Sequence, residues 1–438
     1  MNSFDLIHIH PSGARNAPKF LFMPAGVVPL INEVRSHGYD AMAINEPMEM
    51  LRNQGNKDWS LEAMLSDSPA PLYSIDIHWH EHIYSGICIA ELIKKIYPKS
   101  RVVVGGLTAS VFAEDLLRNC SAIDYVISGY GEGQLVKLAK KIVGRNGKGS
   151  RQPSREVIYA HAPPDLDAYD YITHDWLLHW RDYARCALDT WMDGASVYWL
   201  KNGMGCSMKC AFCGGSRMAQ KRIFGNCKVI PRSASLVAAD IVALSRQGIQ
   251  RVALTQDPNL TPKSYWRSLH REIRAYGMKP GIYIEAFGMP SDEFLADFAQ
   301  TYDLRNSVVT LWPLCATESV RYNFGKSIPD KEIFRCLQSM RQNKIPLVFY
   351  LTRNLESPTV RTQAIHQKFI ENAAKAFGSL QLVESYVTVD PSAEITRNPD
   401  GYGVDVTLKN SGDYITRTRL QGLNQPFDRL GYSLKTTH

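Results

Sequence analysis

The sequence predicts an α/β protein made of two successive units, a doubly wound parallel sheet and then a partial (β/α)6 TIM barrel. Three observations point there. Short apolar runs alternate with amphipathic helical patterns along most of the 438 residues. A glycine pair, Gly105-Gly106, follows directly on one of the apolar runs. Three cysteines crowd into eight residues just after the first run of the second half. Alternation of this kind implies parallel strands joined by helical crossovers.

In the first unit the runs Asp5–His10, Phe20–Met23, Ala41–Asn45, Ser74–His78, Arg101–Val104 and Tyr125–Ser128 are expected as strands. Ser85–Lys95 and Ser110–Leu117 are the clearest helical patterns between them. Residues 1–145 are therefore expected to form a Rossmann-like domain, with Gly105 and Gly106 where such sheets bind ligands. The stretch Gly144–Glu156 is rich in Gly, Ser and charge and has no apolar period, so 146–190 is expected as a linker and irregular approach. From Ser196 a second alternation begins, with runs at Ser196–Leu200, Arg251–Thr255, Gly281–Ala286, Ser307–Trp312, Pro346–Leu351 and Leu380–Val389. Helical patterns at Ala234–Gln247, Ser264–Tyr276, Asp292–Ala299 and Asp330–Gln342 separate them. Six such units over 191–398 make a partial barrel, whose chemistry belongs at the C-terminal ends of its strands. Residues 399–438 are expected as a loop-like extension.

Composition narrows the function classes. Hydrophobic residues are 45% and charged residues 21%, an ordinary globular balance. A net charge of +7 over this length is too mild to argue for nucleic acid or a membrane surface. No apolar run approaches the roughly 20 residues that cross a bilayer. The opening MNSFDLIHIHPSG has no basic region followed by a long apolar stretch, so a cytoplasmic protein without a signal peptide is expected. Nine cysteines, an odd number and mostly scattered, are a poor disulfide framework.

The cluster Cys206, Cys210 and Cys213 carries the chemistry. Three thiolates with three and then two residues between them, in a loop after a strand, can converge on one face of an iron–sulfur cubane. Three protein ligands leave the fourth iron open, and an open position is where a metal site reacts. Gly214 and Gly215 allow close backbone approach to the cluster or its ligand. The bland alternative is structural zinc, which needs a fourth ligand; Cys227 is well separated and has no paired spacing.

The CxxxCxxC run with Phe212 before its last cysteine resembles the radical S-adenosylmethionine (SAM) superfamily. The resemblance implies that Cys206, Cys210 and Cys213 hold a 4Fe-4S cluster whose open iron chelates SAM. The cluster then donates one electron, and SAM splits to methionine and a 5′-deoxyadenosyl radical. It further implies an external electron donor of the flavodoxin or ferredoxin type, and Phe212 beside the adenine. Thr255-Gln256-Asp257-Pro258 stands where the family has a segment that binds the SAM amino group, which makes Asp257 a candidate; the alternative is a turn or capping Asp. Trp312-Pro313-Leu314 through Arg321 resembles a ribose-binding segment, but Leu314 replaces its acidic residue. Glu285 is a candidate for that contact, or a satisfied structural carboxylate.

Tyr73–Leu138 is similar to the cobalamin-binding domain that precedes the barrel in one subclass, through HWHEH (His78–His82), Val102–Leu117 and Asp124–Gly133. Its cofactor signature is degenerate. Pro24–Glu33 lacks the Asp and His of the lower-ligand motif, and Asp76-Ile77-His78 replaces the Ser-x-Leu element that lines the nucleotide tail. Gly105-Gly106 remains. A bulky, partly charged pair at the tail's position disfavours cobalamin on steric and desolvation grounds. Two readings stay open: cobalamin-dependent methyl transfer, or a domain that has lost the cofactor, as in the similar radical SAM diol dehydratase of apramycin biosynthesis. The HWHEH histidines, on one face of a strand, are metal ligands, ordinary strand-end residues or cleft-lining groups.

The expected function is an enzyme on a polar small molecule, such as an aminosugar, in natural-product biosynthesis. Hydrogen abstraction would be followed by loss of a hydroxyl, which needs a nearby acid. Asp189, Asp193 and Glu285 are the candidates. The alternatives are a cobalamin-dependent C-methyltransferase and, in another class, a cluster-bearing electron-transfer protein that does not cleave SAM.

Overall fold

The computed structural model describes residues 3–13, 21–144, 155–186, 194–353, 355–356, 359–388, 390–421 and 432–434. Six strands build the first sheet: β1 (Leu6–His10), β2 (Ala41–Asn45), β3 (Leu72–Asp76), β4 (Arg101–Gly105), β5 (Tyr125–Gly129) and β6 (Glu156–Ala160). Their order is β2-β1-β3-β4-β5-β6 and every pairing is parallel. Both faces of the sheet are covered, so β1 and β3 are buried throughout, and with them the polar His8, His10, Ser74 and Asp76. The order reverses between β1 and β3, and doubly wound sheets take ligands at the carboxyl ends of strands flanking such a switch. Helix Ile83–Ile96 seals one face with Ile83, Ile89 and Ile93, and ends on Lys94 and Lys95, whose charges suit a helix C-terminus.

Three expectations change in this unit. Leu21–Met23, the described part of the run Phe20–Met23, forms no strand. Leu21 and Met23 are buried without a ladder and turn toward the interior. The sixth strand instead comes from the segment expected as linker and approach, so the sheet continues past residue 145 to Ala160. It is an edge strand with mostly exposed or half-buried side chains, and so it lacks the apolar run that marks the others. The pattern at Ser110–Leu117 also divides into two short helices, Leu107–Val111 and Ala113–Asn119.

The residues after β6 tie the two units together. Ala43 donates its N–H to the Trp176 carbonyl at 3.0 Å, and the Trp176 indole donates to Asn32 Oδ1 at 2.7 Å. On the other side the Tyr198 hydroxyl donates to the Tyr171 carbonyl at 2.8 Å.

The second sheet holds β7 (Val197–Leu200), β8 (Arg251–Leu254), β9 (Ile282–Ala286), β10 (Val308–Leu311), β11 (Leu347–Thr352) and β12 (Gln381–Ser385). They pair in chain order, all parallel, with β7 and β12 at the edges, as an open six-stranded barrel requires. Helices cover the outer face. Asp292–Thr301 shows why they form: Ser291 caps it by accepting the Phe294 N–H at 3.2 Å, and Asp292 and Glu293 sit in the first turn. The same helix buries Phe294, Leu295 and Phe298 in a core shared with Ile241, Leu269 and Phe349.

The expected C-terminal loop is corrected as well. Val404–Val406 pairs antiparallel with Tyr432–Leu434, and between them runs a helix, Ser411–Gln421. The helix docks on the first unit through Tyr414, which is 1% exposed with its ring 5.5 Å from both His80 and Phe112. Its sequence is polar around most of the turn, so no apolar stripe announces it. Among the described residues no helix is long and apolar enough to cross a membrane.

Tyr414→Ala is expected to lower unfolding stability by about 3 kcal/mol, the usual cost of truncating a buried ring. Urea denaturation measures it, and a loss below about 0.5 kcal/mol, typical of a surface site, would show that the helix does not anchor the two units.

Candidate active site

A cavity of about 1010 Å³ joins the C-terminal ends of the two sheets. Asp76, Gly105, Gly106 and Gly129 line it from the first unit, and Lys201, Thr255, Gln256 and Glu285 from the barrel. Its size is at the top of the range for small-molecule sites. Lys201 pairs with Glu132 at 2.7 Å across the boundary, both nearly buried, so the wall between the units is an ion pair.

The cysteine loop follows β7. It leaves a short antiparallel pairing of Gly203–Met204 with Ile230–Pro231. Gly205 then turns at φ +85°, where any Cβ would lie 2.1 Å from the Lys228 carbonyl oxygen. Met208 donates its N–H to Cys206 Sγ at 3.4 Å, and Gly215 donates to Cys213 Sγ at 3.3 Å. Burial pushes all three thiols up, Cys213 to about 12, while Lys326 opposes the rise at Cys206 and Cys210. Such thiols ionise when a metal takes them. Lys326 is itself 4% exposed, with Nζ 5.2 Å from the Trp312 ring centre. Burial lowers its pKa, and the three sulfurs and Asp257 pull it back up. A buried cation thus stands ready to balance bound thiolates.

Three free cysteines on one short loop are the thiolate donor set that an iron–sulfur cluster takes.

The other expected residues distribute unevenly. Phe212 is buried against Trp312, ring centres 5.4 Å apart, in a small core with Leu314, Phe324 and Ile395. Gly214 approaches a side chain: its Cβ would lie 2.1 Å from the Asp390 carboxyl carbon. Asp390 in turn accepts from the N–H and hydroxyl of Ser392, whose hydroxyl also lies 2.9 Å from the Gly214 carbonyl. Gly215 sits beside the Cys213 sulfur. Asp257 is 1% exposed and both carboxylate oxygens are engaged, one by the N–H and amide of Asn259 at 2.8 Å and the other by the Phe287 N–H at 2.8 Å. That is the capping role, the second of the two readings given for Asp257. Its neighbour Gln256 lines the cavity and has a buried Oε1 with no partner among the described residues. Asp189 and Asp193 lie outside the described residues.

Glu285 projects into the cavity from β9. Burial raises its pKa, opposed by a 2.9 Å hydrogen bond from the Tyr283 hydroxyl and by Lys326. Tyr283 and Glu285 alternate on one strand face, so both point into the barrel.

In the first unit, Gly106 lies at φ +110° with its Cβ position 2.7 Å from His78 Cα, so only glycine lets the two segments meet. The residues expected to obstruct the crevice do not close it: Asp76 and His78 line the cavity. Asp76 turns toward β1, where His8 Nε2 lies at 3.0 Å and His10 Nδ1 at 2.9 and 3.0 Å from its oxygens. Burial raises the Asp76 pKa, but His10 and His8 together hold it below the ordinary carboxylate range. With Asp76 drawn aside, the cavity extends along the sheet to His8, Ser74 and Val103, facing Leu30 and Leu135 from the covering helices. HWHEH is also no strand face. β3 ends at Asp76, and His80–His82 is a 3-10 turn. His78 lines the cavity, His80 packs on Tyr414, and His82 meets the His10 ring edge-on at 4.9 Å.

Sequence reasoning missed Asp390, Gln256, Lys201 and Lys326. Each is a single polar residue whose importance comes from which distant segment it faces, and spacing carries no such signal.

Glu285→Gln is expected to stabilise the fold at pH 8 and leave it unchanged near pH 4. A carboxyl with a raised folded pKa supports the native state while protonated and loses that support as pH rises through the folded value. Urea midpoints at the two pH values test this; an equal shift at both would mean that the fold does not raise the Glu285 pKa.

No protein-family profile matches the chain. The anaerobic magnesium-protoporphyrin IX monomethyl ester cyclase of Rubrivivax gelatinosus is 26% identical over 141 residues, covering 30% of this chain and 24% of the cyclase. The cyclase of the same name from Cereibacter sphaeroides is 27% identical over 128 residues, covering 27% of this chain and 20% of that protein. The chain thus matches about a quarter or less of the length of these curated relatives. Among solved structures, the radical SAM methyltransferase TsrM of Kitasatospora setae, with cobalamin and a 4Fe-4S cluster bound, superposes with a TM-score of 0.68 at 14% identity, covering 94% of this chain and 84% of TsrM. The cobalamin-dependent radical SAM enzyme OxsB superposes with a TM-score of 0.65 at 11% identity, covering 99% of this chain and 64% of OxsB. The chain therefore has the fold of these cobalamin-dependent radical SAM enzymes, a Rossmann-like unit followed by a partial barrel.

Proposed function

We propose that this protein is a radical SAM enzyme that holds a 4Fe-4S cluster at Cys206, Cys210 and Cys213. Its substrate is a small molecule taken into the cavity between the sheets, and a cobalamin occupies the arm along the first sheet. One observation carries the reading: a single cavity runs from beside the cysteine loop, past Gly105 and Gly106, to His8 and Ser74 under the covering helices. When bound, these groups supply one-electron cleavage of SAM and a carrier for a methyl group. The chain's own residues do the rest. Gln256 offers its buried carbonyl oxygen to a SAM polar group, Lys326 balances the cluster thiolates, and the Lys201–Glu132 pair holds the two walls at one separation. A flavodoxin- or ferredoxin-type donor supplies the electron.

Methyl transfer is the reaction favoured by the open arm. Hydrogen abstraction with loss of a hydroxyl from a polar substrate, an aminosugar among them, is the second reading, and Glu285 favours it. A carboxyl at the cavity wall whose pKa is raised toward neutrality is a fitting group to hand a proton to departing hydroxide.

Anaerobic reconstitution with iron and sulfide, followed by SAM and a reductant, tests the first statement. The wild type is expected to release 5′-deoxyadenosine or S-adenosylhomocysteine, and Cys210→Ser to release neither; equal product from both would overturn the assignment of the cluster. Hydroxocobalamin added before desalting is expected to be retained. Gly26→Phe should abolish retention without loss of iron. Gly26 has φ −66° and lines the cavity, and a Cβ there meets nothing nearer than Lys201 Nζ at 4.0 Å. No retention by the wild type would remove cobalamin and leave the dehydration reading, marked by 5′-deoxyadenosine without S-adenosylhomocysteine.

A further inference from the structure

We propose that His10, Asp76 and His82 form a second metal site, for a divalent transition-metal ion such as zinc or iron(II), at the head of the crevice in the first sheet. One ligand atom from each of the three lies within 4.8 Å of the others, and all three residues are buried. They come from three separate segments: the end of β1, the end of the adjacent β3, and the 3-10 turn His80–His82. The strands are the pair at which the sheet order reverses, so the site occupies the place where such folds bind ligands. Two imidazoles and one carboxylate are a nitrogen and oxygen set that suits zinc or iron(II) and leaves coordination positions open.

The surroundings match a metal's outer shell. His8 Nε2 lies 3.0 Å from Asp76 Oδ1, and its other ring nitrogen lies 2.9 Å from the Ser74 hydroxyl. A ligating carboxylate held by such a relay has its orientation fixed before the ion arrives. Register makes the relay: His8 and Ser74 are direct partners on β1 and β3, and His10 and Asp76 lie two residues further along the same faces. Asp76 and His8 also line the large cavity, which gives an ion its path of entry. A purely structural account, a buried carboxylate solvated by histidines, explains His8 and His10. The third imidazole, that of His82, stands edge-on to the His10 ring and brings one ring nitrogen within the same 4.8 Å.

The site is independent of the cysteine cluster, and the test separates the two. The full chain, reconstituted with iron and sulfide, is given zinc sulfate, desalted and analysed for metals. About one zinc per chain is expected beside the iron. His10→Gln and His82→Gln should weaken zinc binding by more than about tenfold while the acid-labile sulfide, which reports the cluster and with it the fold, is unchanged. Ser74→Ala should weaken it by about tenfold through His8. The full chain with Cys206, Cys210 and Cys213 all changed to alanine should lose the iron and keep the zinc. With cobalt(II) that chain should show a d–d spectrum free of thiolate charge-transfer bands. Zinc that leaves with the cysteines, zinc held equally by His82→Gln, or no cobalt spectrum in the cysteine-free chain would each overturn the site. So would a loss on His78→Ala equal to that on His82→Gln, because the ligands would then be the HWHEH run.

Discussion

The cysteine loop keeps its shape because its backbone polar groups are satisfied by segments far along the chain. It contains no helix or strand to pair them, and a buried backbone group without a partner is costly. Ala211 donates its N–H to the Phe324 carbonyl and accepts from the Ile395 N–H, both at 2.9 Å. Ser392 reaches the Gly214 carbonyl through its hydroxyl. These bonds fix where the sulfurs stand relative to β7, to Lys326 and to the cavity. Everything proposed for the site rests on that placement.

Charge around the cavity is arranged in compensating pairs. Lys201 meets Glu132, and Asp76 meets His8 and His10. Glu285 is steadied by the Tyr283 hydroxyl, and Lys326 faces the three sulfurs. Buried charge is tolerated where a partner answers it, and is expensive elsewhere. Lys326 differs from the rest because its partners become anionic when they take a metal, so its charge is balanced by the site's occupant.

Much of this was legible in the sequence, and the parts that were not share physical causes. Asp330–Gln342 and Ala41–Asn45 have the expected boundaries, and the six barrel strands fall within a few residues of their apolar runs. These elements bury a continuous face, and burial leaves a periodic trace. The edge strand Glu156–Ala160 buries little, and the helix Ser411–Gln421 buries a face of Ser411, Tyr414 and Thr418 that is mostly polar, so neither leaves an apolar trace. Leu21–Met23 shows the reverse error, since apolar residues can bury themselves without joining a ladder. At the site, the cysteines were legible because all three stand on one loop within eight residues. Asp76 misled because its side-chain direction depends on His8 and His10 of another strand. Its charge suggested an obstacle, and its hydrogen bonds turn it aside.

The bracing of the cysteine loop by residues 390–395 has a consequence for biosynthesis. Translation delivers the N-terminal part first, at ~5–20 residues per second, so the thiols leave the ribosome roughly 10–40 s before the segment that cages them. In that interval the loop is an unshaped run of three accessible cysteines, open to oxidation or to the wrong metal. A cluster seated by the finished loop would therefore enter only after the far end of the barrel is made.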